Sequence, residues 1–202
     1  MWVCVKRVTI FADLYFFGKM LFDRLTVLFF CIGAVCSLDI KGSREKAEAM
    51  VKKMELPEKF SLMSGVLGRY TGNIPGVERL GIPAVSYQDG PQGFRTNAME
   101  TSPQGSSTAW PSTLSVAAAW DKDLALRWGA GMGEEFKAKG ANVQLGPGIG
   151  IARVPTAGRN FEYLCGEDPY LGAKLVGPII QGIQSKKIMS NAKHFINNEI
   201  ED

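Results

Sequence analysis

The sequence predicts an α/β fold built on parallel strands, and three observations predict it. Short apolar runs end abruptly in polar residues or Gly-Pro, at "AVSYQDGP", "ANVQLGPG" and "KIMSNAKHF". Between them lie two stretches whose apolar residues recur at helical spacing. The resulting order of strand, helix, strand, helix, strand is the grammar of βαβ units, which places all strand C-termini on one face.

The elements follow in order. Residues 1–37 form a prefix distinct from the domain of residues 38–202. Within the prefix and its exit, "LTVLFFCIGAVCSL" from Leu25 to Leu38 carries no charge, with Arg24 before it and Asp39 after it. Fourteen residues fall short of the roughly 20 of a membrane-spanning helix and match a signal-peptide core of roughly 7–15. Met20 gives a shorter start, "MLFDR", ahead of that core. The expectation is a secreted or secretory-pathway protein. The alternative is an anchor, with membrane contact only through this uncleaved prefix.

Ser43 is the expected cap of a helix from Arg44, with Met50, Val51 and Met54 on one face. Pro57 suits the first turn of a second helix. "GRYTGNIPG" reads as loop. Ile82, Ala84, Val85 and Tyr87 make a strand ending at Asp89. A long polar loop follows, and then Asp121 caps a helix with Leu124, Trp128, Met132 and Phe136 along one stripe, closed by Gly140. "ANVQLGPG" is the second strand. Asp168 and Pro169 open a helix with Leu171, Leu175 and Ile179 on one face, and the third strand runs into Lys193-His194.

The totals exclude several function classes. With 202 residues, 46% of them apolar and 21% charged, the chain is globular and of one-domain size. A net charge of +3 with scattered Lys and Arg excludes a nucleic-acid surface. Cys4, Cys31 and Cys36 lie in the prefix and Cys165 stands alone, so no internal disulfide or zinc motif is formed by the domain. "GAGMG" at Gly129–Gly133 falls inside a helix, where it reads as close helix packing and not as a nucleotide loop. "GPGIG" at Gly146 lacks the following Lys-Ser/Thr of a phosphate loop and reads as a turn.

In βαβ architectures the site lies at the strand C-termini, so Asp89, Lys193 and His194 are expected to converge there. Each residue also has a plainer reading. Asp89 suits an Asx turn; its carboxylate also suits paired sugar hydroxyls. Arg159 can pair with Glu162, or offer its rigid fork of donors to a polyol. Lys193 can snorkel or supply three donors. His194 by itself suits a satisfied half-buried position better than a catalytic one. Glu167-Asp168 suits a helix cap, and Trp110, Trp120 and Trp128 suit a core, although Trp110 sits where a ring could stack on sugar.

Taken together, "QDGPQGFR", "WPSTLSVAAAWD", "MGEEFKAKGANVQLGPG", "IARVPTAGRNFEYLCGEDPYL", "GIQ" and "AKHFINNE" occur in an order and spacing that resembles the N-terminal barrel domain of glycoside hydrolase family three, the β-glucosidases and their relatives. The resemblance runs from about Ser43 to the end of the chain. It implies a (β/α)8 TIM-type barrel, of which this chain carries the N-terminal portion only. It further implies a retaining, exo-acting enzyme of carbohydrate catabolism that hydrolyses O-glycosyl bonds of a β-linked glucoside or oligosaccharide, with no metal or organic cofactor. Matched motif by motif, Asp89 would hold the distal hydroxyls of the sugar, while Arg159, Lys193 and His194 would donate to its hydroxyls. A retaining hydrolase needs two carboxyl groups, one nucleophile and one acid/base. The family's nucleophile sits in a Ser-Asp-Trp-like motif that these 202 residues do not contain. No catalytic residue is therefore assigned, the chain is expected to be a fragment, and alone it is expected to be inactive. The alternative is a short form that binds sugar or a partner without catalysis. A third reading makes Lys193 a Schiff-base amine of a different barrel enzyme.

Overall fold

The computed structural model describes residues 40–96, 106–195 and 198. The prefix expectations for residues 1–37 lie outside them. Among the described residues no helix is long and apolar enough to cross a membrane.

Residues 40–59 belong to one compact unit and residues from Phe60 onward to another. The first holds helix α1 (Ile40–Lys53), which starts earlier than the Ser43 cap predicts and places Lys52 and Lys53 in its last turn, where cations complement the helix dipole. An exposed Arg44–Glu48 pair one turn apart runs along it. Helix α2 (Leu56–Met63) has Pro57 in its first turn, as the sequence predicts, and the Glu58 carboxylate accepts from the Glu55 amide at 2.8 Å.

The second unit is built on a four-stranded sheet in the order β1 (Gly72–Ile74), β2 (Val85–Asp89), β3 (Val143–Leu145), β4 (Met189–Ser190). β2, β3 and β4 are parallel neighbours, with Asp89 opposite Leu145 and Gln144 opposite Ser190. This is the expected α/β sheet, the partial sheet of a TIM-type barrel. β1 is an antiparallel addition in the segment predicted as loop. Glycine and asparagine favour turns, so only pairing with β2 makes this strand.

Three helices serve the sheet. Helix α3 (Thr113–Ala118) lies between the polar loop predicted to Thr108 and the Asp121 cap, where the sequence reading assigns no element, and is capped by Ser112, whose side chain accepts from the Ser115 amide. Helix α4 (Lys122–Ala138) is capped by Asp121, which accepts from the amides of Asp123 and Leu124. Helix α5 (Pro169–Ser185) is capped by Asp168 with Pro169 in its first turn. Both caps are as predicted, because a short side-chain acceptor just before an apolar period satisfies amides that the helix cannot.

The core lies between these helices and the sheet. Trp128, Met132 and Phe136 of α4 meet Leu175, Ile179 and Ile183 of α5, with Phe94, Ala141, Leu164 and Ile188 closing the cluster. "GAGMG" has the packing role expected of it. A Cβ on Gly129 would stand 2.4 Å from the Ile179 carbonyl oxygen, and one on Gly133 2.8 Å from that of Ile183. Trp110 is tied to the core side of the loop: its Nε1 donates to Glu135 at 2.9 Å and its partly buried ring packs against the core cluster. Trp120 departs from the core reading: it is exposed, with a positive φ of 56°, just before the Asp121 cap.

Candidate functional site

Asp89 ends β2, and the residues after β3 and β4 continue alongside it. The Lys193 amide donates to the Pro147 carbonyl at 3.0 Å, and the Ile149 amide donates to the Lys193 carbonyl at 2.8 Å. On its other side Gly148 pairs with Tyr163, and the Leu164 amide donates to the Gly148 carbonyl at 3.0 Å. Three distant segments are thereby laced side by side beyond the strand ends. Gly148 has to be glycine there, because a Cβ would stand 2.5 Å from the Glu162 carbonyl oxygen. The Gly146–Pro147 and Lys193–His194 peptide bonds are both cis.

The lacing brings three of the four predicted residues into one charged network. The Lys193 ammonium donates to Asp89 Oδ1 at 3.0 Å across 104 residues of sequence. It stands 3.5 Å from Glu162 Oε1. Arg159 grips Glu162 with two hydrogen bonds, that from Nε at 2.8 Å. Arg95 adds a more exposed contact to Asp89 Oδ2 at 3.2 Å, and the Gly90 amide donates to Oδ1. The side chains of Asp89, Lys193 and Glu162 retain 25%, 14% and 9% of their exposure, so the centre of the network is partly buried, with Asp89 the more open of its two carboxylates. His194, the fourth predicted residue, is held separately: its Nδ1 lies 3.0 Å from the Tyr163 hydroxyl.

Burial alone would push the Asp89 carboxyl upward, but Lys193, through hydrogen bond and charge, then Arg95 and the Gly90 amide outweigh it and hold the group below its ordinary value. Glu162 follows the same pattern. Burial raises it, and Arg159 together with Lys193 brings it down. Both carboxylates are therefore charged at neutral pH and spoken for by cations. A folded-state value below the unfolded one contributes stability above the ordinary carboxylate range of about 4, lost as pH falls through the depressed value. The thermal midpoint is accordingly expected to hold between pH 7 and pH 5 and drop below about pH 4. Circular-dichroism melts of an Asp89→Asn/Glu162→Gln double variant should show a shallower acid limb. A limb identical to that of the parent chain would remove this pair from the acid response.

Two features of the site go beyond the predicted set. Glu162 enters the sequence reading only as a bland partner of Arg159, yet it joins Arg159 to Lys193. Tyr163 is absent from that reading altogether. The i, i+3 spacing of Arg159 and Glu162 is a local signal for the first; nothing local points from Tyr163 to His194, 31 residues on. The third reading, a Schiff-base lysine, fits poorly. Amine nucleophiles work desolvated or beside other cations, whereas Lys193 faces two carboxylates.

Set beside known proteins, the chain has a clear kinship. A family model described as the glycosyl hydrolase family 3 N terminal domain matches residues 74–199. Thermostable beta-glucosidase B of Acetivibrio thermocellus is 40% identical over 157 residues, which cover 75% of this chain and 20% of that protein. Probable beta-glucosidase A of Aspergillus terreus is 42% identical over 161 residues, 78% of this chain and 18% of that protein. Among solved structures, beta-glucosidase D2-BGL of Chaetomella raphigera superposes with a TM-score of 0.73 at 38% identity, covering 81% of this chain and 22% of that one. Beta-glucosidase 3B of Thermotoga neapolitana, solved in complex with glucose, gives 0.69 at 33% identity, covering 77% and 24%. The chain thus spans about a fifth of the length of the curated relatives it matches.

Proposed function

The chain belongs to glycosyl hydrolase family 3, through its N-terminal domain, and on that premise we propose that its charged rim is the sugar-holding part of a retaining, exo-acting β-glucosidase-like site. The observation that carries the reading is the Lys193 ammonium lodged 3.0 Å from Asp89 and 3.5 Å from Glu162 beyond the ends of parallel strands. In a pyranose pocket each buried hydroxyl must find a partner. Asp89, the most open carboxylate of the network, accepts from two neighbouring hydroxyls. Arg159, Lys193 and His194 donate from other sides. Glu162 holds Arg159 and Lys193 at fixed spacing, so the donors are set before sugar arrives.

Hydrolysis of an O-glycosyl bond needs more than this grip. The retaining reaction starts with one carboxyl protonated and a second poised as nucleophile, roughly 5–5.5 Å apart. Asp89 and Glu162 are both held ionised by cations, so neither can begin as the acid. These two carboxylates thus supply recognition and not turnover. Calorimetric titration of the purified chain with glucose should give saturable binding, and incubation with a chromogenic β-glucoside should release nothing above the buffer rate. Turnover would overturn the division of labour; absence of any glucose binding would overturn the pocket.

The charge pairing of both carboxylates also favours a second reading, a sugar-binding form without catalysis. A transcript that stops after the Asp202 codon would favour it, and one reading on into further Asp and Glu motifs would favour the hydrolase. Secretion is proposed on the Leu25–Leu38 run alone, and N-terminal sequencing of an exported product tests it.

A further inference from the structure

His194 is the chain's one histidine, and what it can do at a sugar depends on which ring nitrogen carries its proton. The side chain that bears on this question is Tyr163. Tyr163 is buried, with 4% of its surface exposed. Its backbone is tied to Gly148, and its ring lies over two glycines. A Cβ on Gly150 would stand 3.1 Å from Tyr163 Cδ1, and one on Gly148 would stand 3.3 Å from the same atom. The ring is held edge-on to the imidazole, with centroids 5.9 Å apart at 76°. Its hydroxyl reaches Nδ1 at 3.0 Å. His194 is itself placed by Lys193, which pairs with the same Gly148. One glycine therefore spaces both partners.

We propose that Tyr163 is a positioning residue for His194: its hydroxyl donates to Nδ1 and holds the ring proton on Nε2, so that the imidazole meets a sugar hydroxyl as a donor. A phenol keeps its proton to a pH of about 10 and is a donor throughout the neutral range. A neutral imidazole that accepts at Nδ1 must carry its proton at Nε2. That is also the tautomer that free histidine prefers, so the hydrogen bond reinforces an existing bias. The opposite arrangement, Nδ1–H donating to the phenol oxygen, would leave Nε2 an acceptor and add nothing to the donors Arg159 and Lys193 around a polyol. The inference rests on the reading of this rim as a sugar pocket, but the tautomer itself can be read without any sugar.

A single histidine makes the readout direct. In the ¹⁵N-labelled full chain, long-range proton–nitrogen correlation at pH about 8, above the ordinary imidazole value of about 6.5, reports both ring nitrogens of His194 alone. The expected spectrum has an unprotonated Nδ1 and a protonated Nε2. Tyr163→Phe keeps the ring and removes the hydroxyl. Its two nitrogen signals should move toward each other as the tautomers mix, and glucose affinity should fall about fivefold, as for one lost hydrogen bond. A proton on Nδ1 in the parent chain overturns the proposal, as does a Tyr163→Phe spectrum identical to it. If Tyr163→Phe fails to fold, the separation of the two nitrogen signals in the parent chain decides: the full separation of a single Nε2–H tautomer supports the hold, and the partly averaged signals of a free imidazole overturn it. A locked Nε2–H spectrum without glucose binding keeps the hydrogen bond and removes the sugar pocket, so the two failures are distinguishable.

Discussion

Gly182→Val is expected to cost roughly 3 kcal/mol or more of stability, a large share of the 5–15 kcal/mol that holds a domain folded. Helices α4 and α5 meet through glycine on both sides. A Cβ on Gly182 would stand 2.2 Å from the Leu126 carbonyl oxygen and 2.7 Å from the Ala130 amide nitrogen. Both obstacles are helix backbone, which cannot rotate aside as a side chain can. The helices must separate, and the buried contacts of Met132 and Ile183 open with them. Gly177 lies in the same helix with nothing within 4 Å of its Cβ position, and serves as the control. Gly177→Ala is expected to change stability by less than about 1 kcal/mol, since the gain in helix propensity is opposed by crowding of the new Cβ against the following Pro178. Urea denaturation followed by circular dichroism compares the three chains. Coincident midpoints for Gly182→Val and the parent chain would refute the backbone seam.

Asp89→Ala is expected to reduce glucose affinity by about a hundredfold or more, since truncating one partner of a partly buried charge pair costs about 2–5 kcal/mol at a binding site. Two losses coincide in this variant. The sugar loses its acceptor for neighbouring hydroxyls, and the Lys193 ammonium, released on that side, swings toward Glu162 at 3.5 Å. The remaining pair keeps the ammonium from being orphaned, so the fold should survive and the effect should appear in binding. Asp89→Asn retains an acceptor without the charge, and its affinity is expected between the two. Arg95→Gln removes a contact whose arginine is mostly exposed, and should change affinity by less than about fivefold. Calorimetry with glucose ranks the four chains. Equal affinity for Asp89→Ala and the parent would place the sugar elsewhere.

The parts of the fold legible from sequence were those whose signals are local. Asp121 and Asp168 announce α4 and α5 because a capping side chain reaches amides only two or three residues away. The stripe of Trp128, Met132 and Phe136 repeats at helical spacing and is buried as that spacing requires. β1 was not legible, since Gly72, Asn73 and Ile74 become a strand only opposite Tyr87, Ser86 and Val85. α3 carries no strong local signal between the polar loop that ends at Thr108 and the Asp121 cap. Ser112, its cap, resembles the loop residues before it, and burial of Thr113, Val116 and Ala117 against the rest of the core sustains so short a helix.

Within the site, the sequence by itself determined which chemical groups stand beyond the strand ends, a carboxylate at 89, an ammonium at 193 and an imidazole at 194, and that a guanidinium at 159 lies in the loop after the second of the parallel strands. It also determined that parallel strands would carry the first two to a common face. Only the tertiary structure decided the partners: Glu162 shared between Arg159 and Lys193, and Tyr163 set against His194. The reason is physical. Caps and periods are settled within a few residues, whereas an ion pair is settled by distances of a few ångströms between segments as many as 104 residues apart, and those distances exist only once Gly148 has laced Tyr163 and Lys193 to either side of it.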